Sequence, residues 1–150
     1  MKKIFPRVAF DRPLRAAPRG FITFLFGGVG YGLFEVLWRG RTHPSMIITG
    51  GACLIIIKLL TRALKDHTVI FRCITGTLAV TAVEFVVGCV VNLWLRLAVW
   101  DYSEMSYNFL GQVCPLYSAL WFFICTPLVL LFSLPAKKSA KKSDKKLFYF

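Results

Sequence analysis

Acidic residues are scarce in this chain. Seven Asp and Glu stand against 19 Lys and Arg, for a formal net charge of +12 over 150 residues. Also missing is the periodic polar interruption that marks a soluble amphipathic helix or half-buried strand. With 57% hydrophobic residues and a mean hydropathy of +0.63, the apolar residues fall in blocks, which argues against a soluble globular domain. The five cysteines (Cys53, Cys73, Cys89, Cys114, Cys125) lie in or at the ends of those blocks without metal-ligand spacing. They read as reduced packing residues, and no metal or cofactor is expected. No G-x-x-x-x-G-K-[ST] loop is present to cradle nucleotide phosphates. No zinc finger or RNP sequence accompanies the basic charge, so nucleic acid is not the expected partner. Ser103, His43 and Glu84 are not placed to act together as nucleophile and base, so no catalytic residue is expected and the chain does not read as an enzyme.

What is present is four apolar blocks, roughly 20–38, 45–64, 73–97 and 109–134. Each reaches the ~20 residues that a helix rising ~1.5 Å per residue needs to cross hydrocarbon. The expected fold is an all-α membrane protein, a bundle of four transmembrane helices. It comprises a basic cytoplasmic segment (1–19), a four-helix transmembrane domain (20–134) and a basic cytoplasmic tail (135–150). The second block is the weakest span, because Lys58 and Arg62 interrupt its far end and must snorkel toward headgroups. The first block is too long for a signal peptide, carries Glu35 and lacks a small-residue exit, which predicts an uncleaved first helix.

Orientation follows from the basic residues. Six precede the first block (Lys2, Lys3, Arg7, Arg12, Arg15, Arg19), six follow the last (Lys137, Lys138, Lys141, Lys142, Lys145, Lys146), and Lys58, Arg62, Lys65 and Arg72 lie at or near the second connection. That is 16 on one side against Arg39, Arg41 and Arg96 on the other, so the positive-inside rule places both termini in the cytoplasm of a multi-pass plasma-membrane protein. The lysine tail also suits anionic lipid, and the terminal Leu147-Phe148-Tyr149-Phe150 suits the interface.

Two glutamates interrupt the blocks at matched spacing, Gly28-xxx-Gly32-xx-Glu35 and Thr77-xxx-Thr81-xx-Glu84, with a constant offset of 49 residues. The offset raises the expectation of a parallel repeat of two helical hairpins. On a helix, Gly28, Gly32, Glu35 and Arg39 share an arc of about 60°, as do Thr77, Thr81, Glu84 and Gly88, with Asn92 continuing the second stripe. Small residues let backbones approach, so these faces are expected to meet each other or another helix. The repeat favours contact between helices one and three, with both carboxylates turned from lipid. A carboxylate at membrane depth is costly and is retained for a pathway, a partner or a proton. Glu35, one turn before Arg39, can form an i,i+4 ion pair. Glu84 has no basic residue within a turn, and two readings stand: a neutral carboxyl donating a helix-to-helix hydrogen bond, or a ligand, ion or proton site. The candidate intramembrane polar site is therefore Glu35, Glu84, Asn92 and Arg39.

The first outer connection contains His43, a candidate proton acceptor or metal ligand as well as an ordinary surface histidine. There Ser45, after Pro44, is placed to cap helix two. The second connection, 100–112, is rich in aromatics suited to the headgroup belt. It reads as a short interfacial or re-entrant segment capped by Asp101 or Ser103, with Pro115 tolerated only in a first helical turn unless the helix kinks. Ion pairs from Asp101 and Glu104 to Arg39, Arg41 or Arg96 would tie the loops together.

The Trp100-Asp101-Tyr102-Ser103 run, the Asn108-Phe109-Leu110-Gly111-Gln112-Val113-Cys114 that follows, and Trp121 closely resemble the CmpB-like type IV ABC-transporter family of integral membrane proteins. Tyr31-Gly32-Leu33-Phe34-Glu35, Gly50-Gly51 and Glu84 are similar to the same family's earlier helices. The resemblance covers roughly 21–132, with residues 1–20 and the lysine tail outside it and an unusually basic first loop. It implies a small permease-like membrane protein and adds Trp100, Asp101, Tyr102, Ser103, Asn108, Gly111 and Gln112 as outer-loop site residues. A separate nucleotide-binding ATPase subunit is the implied partner, alongside the lipid bilayer and further copies of the chain. The alternative is a non-transporting scaffold whose glutamates glue helices and recruit a partner.

Overall fold

The computed structural model describes residues 17–134, with side chains from residue 20 onward. The basic segment before it and the lysine tail after it, including the terminal aromatic stretch, lie outside the described residues. Four helices make up the described chain: α1 (Ala17–Arg39), α2 (Pro44–Ala63), α3 (Val69–Gly88) and α4 (Pro115–Ser133). All four are long and apolar enough to cross a membrane, and no strand occurs among the described residues.

Local chemistry sets the ends. Gly40, at φ +70°, closes α1 in the left-handed conformation that favours glycine, its N–H reaching Val36 O at 2.8 Å. Pro44 occupies the first turn of α2, where its missing N–H has no cost. The cap is His43 rather than Ser45, because Ser45 already lies inside the helix: its N–H donates to His43 Nδ1 at 3.3 Å. Thr68 caps α3 by accepting from Phe71 N at 3.3 Å, so α3 starts four residues before the expected Cys73.

Beyond Gly88 the helix widens into a π-helical stretch, Cys89–Trp94, and ends there rather than at Leu97, since Arg96 and Ala98 turn to φ +55° and +46°. Helix α4 likewise begins at Pro115, not Phe109. Leu110 and Gly111 have positive φ, and the residue before the proline, Cys114, is extended at φ −147°, ψ 159°. Residues 95–114 therefore form a non-helical cap over one end of the bundle, in place of an interfacial helix.

Helix α1 packs chiefly on α2, which also touches α3 and α4, while α3 packs on α4. The expected pairing of helices one and three is thus corrected: the glycine face of α1 meets α2. A Cβ on Gly27 would stand 2.6 Å from Gly50 O, and one on Gly28 would stand 2.6 Å from Ile47 O. The short 40–43 connection makes these helices antiparallel neighbours, and Gly50-Gly51 supplies the matching flat surface. At the aligned position of α3, a Cβ on Gly76 meets nothing within 4 Å.

The second span, interrupted in sequence by basic residues, is the most buried of the four. Lys58 donates to the Thr23 hydroxyl and lies 5.9 Å from the Phe132 ring centroid. One core cluster, around Cys53, Ile57, Val80, Cys125 and Val129, joins α2, α3 and α4. A second, Met46, Val91 and Trp100, seats the cap. All five cysteines are free thiols. The packing leaves an apolar cleft of about 280 Å³ where α1 and α4 face one another.

Candidate functional site

The cap is built almost entirely from hydrogen bonds within the 100–112 stretch. Asp101 Oδ1 accepts from the backbone N–H of Ser103 at 2.8 Å and from its hydroxyl, and these donors hold the Asp101 carboxyl below its ordinary range. Asn108 Nδ2 donates to the carbonyls of Ser103 and Met105 at 3.0 and 2.9 Å, and Asn108 Oδ1 accepts from Gly111 N at 3.0 Å. Gly111 sits at φ +69°, and a Cβ there would come within 2.6 Å of Ser103 Oγ. Its carbonyl accepts from Tyr102 N at 2.8 Å.

Within the cap, Trp100 Nε1 donates to Gln112 O at 3.0 Å, and the π-helical extension of α3 docks it. Asn92, in the π-helical stretch, donates to Gln112 Oε1 at 2.8 Å and accepts from Val99 N at 2.8 Å. Gly88 lies beneath, where a Cβ would be 2.6 Å from Gln112 Oε1. The cap thus needs no ion pair: among the described residues Asp101 and Glu104 form none with Arg39, Arg41 or Arg96.

The consequence is the placement of Tyr102. Its hydroxyl reaches Glu84 Oε1 at 3.3 Å, while Trp121 Nε1 on α4 donates to Glu84 Oε2 at 2.7 Å. Glu84 is 4% exposed and accepts bonds from two other elements. Each donor belongs to an aromatic stack: Tyr31 on Trp121 with centroids 5.6 Å apart, and Tyr102 on Tyr117 at 4.4 Å. Burial, and after it the neighbouring Glu84, pushes the Tyr102 phenol up, which keeps the hydroxyl a donor.

Glu35, 5% exposed, is partnered differently. Its Oε1 pairs with Arg39 at 3.0 Å and its Oε2 accepts from Thr42 Oγ1 at 2.6 Å. Arg39 spends its other terminal nitrogen on Val99 O at 2.8 Å, tying α1 to the cap.

Glu35, Arg39 and Glu84 line one small cavity of about 50 Å³, with Trp100 and Tyr102 from the cap also in its wall. Asn92 does not; it tethers the cap from behind. Asp101, Ser103, Asn108, Gly111 and Gln112 shape the cap and do not face the cavity. Sequence reasoning named Tyr31 and Trp121 only as part of the resemblance, and it missed Tyr117 and Thr42. Tyr31 precedes Glu35 by four residues and Tyr117 precedes Trp121 by four, so helical spacing placed each on the relevant face. A separate recess of about 140 Å³ on the far side of the Glu35–Arg39 pair is lined by Arg41, Thr42 and His43. Among the described residues no group of His, Cys, Asp and Glu could hold a metal ion.

The sequence profile of the family described as "Putative ABC-transporter type IV" matches residues 22–150. The match runs through the lysine-rich tail, beyond the 21–132 stretch in which the motifs lie. No solved structure matches the chain.

Proposed function

The chain belongs to this type IV ABC-transporter family and is a multi-pass membrane protein, and from that premise we propose that it is a permease-like membrane subunit whose buried Glu84 site recognises the transported molecule. The observation that carries the reading is the position of Glu84. It is a buried carboxyl gripped from α4 and from the cap, beside a cavity that the Glu35–Arg39 pair also lines. Intramembrane ionisable groups facing a bundle interior mark substrate, ion or proton pathways. Glu35, Arg39 and Glu84 act as the polar lining, Trp100 and Tyr102 as its lid, and Asn92, Asp101, Ser103, Asn108, Gly111 and Gln112 as the frame that holds the lid.

With no phosphate-binding loop in the sequence, ATP is hydrolysed by a separate nucleotide-binding subunit, docked at the Thr61 to Phe71 stretch. The chain itself is not an enzyme. It resides in the plasma membrane with both termini cytoplasmic, as the 16-to-3 distribution of basic residues supports. Since a single four-helix bundle encloses little volume, a second copy or further subunit completes the path.

Purification in mild detergent from its native cells tests this. A nucleotide-binding protein should co-purify, and its ATP turnover in proteoliposomes should depend on the chain. Cysteines introduced at positions 43 and 104 should react with an impermeant thiol reagent from outside, and one at 140 should not. The reverse labelling would overturn the orientation.

A non-transporting scaffold is the second reading. It is favoured by the satisfaction of both Glu84 oxygens within the bundle, and a stable partner without ATP-driven flux would establish it.

A further inference from the structure

The cavity beside Glu84 and the apolar cleft between α1 and α4 share walls: Tyr31, Phe34, Trp121 and Ile124 line both. One compartment is small, polar and aromatic, at about 50 Å³. The other is apolar, at about 280 Å³, with Phe26 and Gly30 exposed at its rim. A single amphiphile can occupy both, head in the first and tail in the second.

The head's chemistry is set by what faces it. Among the described residues the one ion pair is Glu35–Arg39, so Glu84 has no cationic partner and is held by two neutral donors. These donors satisfy its lone pairs but leave the charge of the ionised carboxylate without a counter-ion in a buried setting. A cation beside the carboxylate supplies what is missing. The surrounding rings of Tyr31, Trp121, Tyr102 and Tyr117 carry electron-rich π faces of the kind that attract an ammonium group.

An anionic or phosphate-bearing head is disfavoured. The cavity's one arginine is already engaged by Glu35 and Val99 O, and no further cation lines it. The small volume also excludes a phospholipid headgroup, whose amine is attached through a phosphate.

We infer that the Glu84 cavity and the α1–α4 cleft together bind a single-chain lipophilic amine, its ammonium on Glu84 and its hydrocarbon between Tyr31 and Leu128. The inference rests on the permease reading, since it names the class of molecule that the site takes.

The test uses the full chain in phosphatidylcholine nanodiscs. The probe is decylamine carrying a photoactivatable diazirine in its tail, with the corresponding decanol derivative as neutral control. The amine should label cleft residues such as Leu54, Ile124 and Leu128 at about tenfold lower concentration than the alcohol. Glu84→Gln should bring the amine to the level of the alcohol while leaving the alcohol unchanged. Gly30→Phe, at a position where a Cβ meets nothing within 4 Å, should block labelling by both.

Melting temperatures near wild type for the two variants exclude misfolding, and if Glu84→Gln fails to fold the amine-against-alcohol comparison on the unaltered chain decides. Equal labelling by amine and alcohol would overturn the inference, as would an amine preference that survives Glu84→Gln. Efficient competition by phosphatidylethanolamine in the disc would overturn the single-chain assignment. If no amine binds but Glu84→Gln still abolishes transporter ATP turnover, the permease reading stands and this inference falls.

Discussion

Glu35 and Glu84 occupy equivalent places in two similar sequence stripes, yet their surroundings differ in kind. Glu35 is neutralised from its own neighbourhood, by Arg39 one turn along the same helix and by Thr42 in the adjoining connection. Glu84 depends on residues 18 and 37 positions away, from the cap and from α4. The hairpins that carry them diverge accordingly. α1 and α2 close on each other through facing glycines, with four residues between them. α3, with its π-helical extension, and α4 are separated by a 20-residue cap with four non-glycine residues at positive φ, Arg96, Ala98, Tyr107 and Leu110. Such strain persists only where surrounding bonds over-determine it, and here the bonds hold Tyr102 against Glu84. Matched spacing therefore identifies a shared polar stripe but does not assign it a shared role.

The sharpest way to break the comparison is to remove each carboxyl. Glu84→Leu leaves Trp121 Nε1 and Tyr102 OH without their acceptor, at about 1–3 kcal/mol for each buried donor left unpaired. Glu35→Leu should cost less, because Arg39 is partly exposed and keeps Val99 O. Melting temperatures in detergent rank the two, and equal losses would erase the distinction.

Next in size is the helix contact. Gly28→Leu drives a side chain into the Ile47 carbonyl and should cost about 1–3 kcal/mol by overpacking. Gly76→Leu, at a position with open space, should be close to neutral. Similar losses at both would mean that the hairpins are built alike.

The smallest effect concerns the connections. Gly111→Ala adds a left-handed penalty of about 1–2 kcal/mol to a contact with Ser103 Oγ. Gly40→Ala incurs only the backbone penalty, since nothing lies within 4 Å of its Cβ. Amide exchange at Tyr102, whose N–H bonds Gly111 O, should accelerate in the first variant alone.

The four helices were legible because apolar blocks of spanning length leave few alternatives. The Glu35–Arg39 contact was legible because i,i+4 spacing is a local fact. The partner of the α1 glycines was not, since small residues signal close approach without naming the surface approached. The short 40–43 connection together with Gly50-Gly51 held that information. Helix boundaries at 94 and 115 were misplaced because apolar residues such as Leu95, Leu97 and Leu110 continue the hydrophobic pattern through backbone that cannot be helical. The donors to Glu84 arrive from distant sequence, and only packing brings them together.

The central claim is that Glu84 acts through its charge, and Glu84→Gln tests it most directly. The amide can accept from Trp121 through its oxygen and donate to the Tyr102 hydroxyl through its nitrogen, so shape and bonding survive while ionisation is lost. ATP turnover by the complex with the proposed nucleotide-binding subunit in proteoliposomes, read alongside the melting temperature, should fall to background for a variant that melts near wild type. Full turnover by Glu84→Gln would contradict the claim and leave Glu84 a structural hydrogen-bonding group within a scaffold.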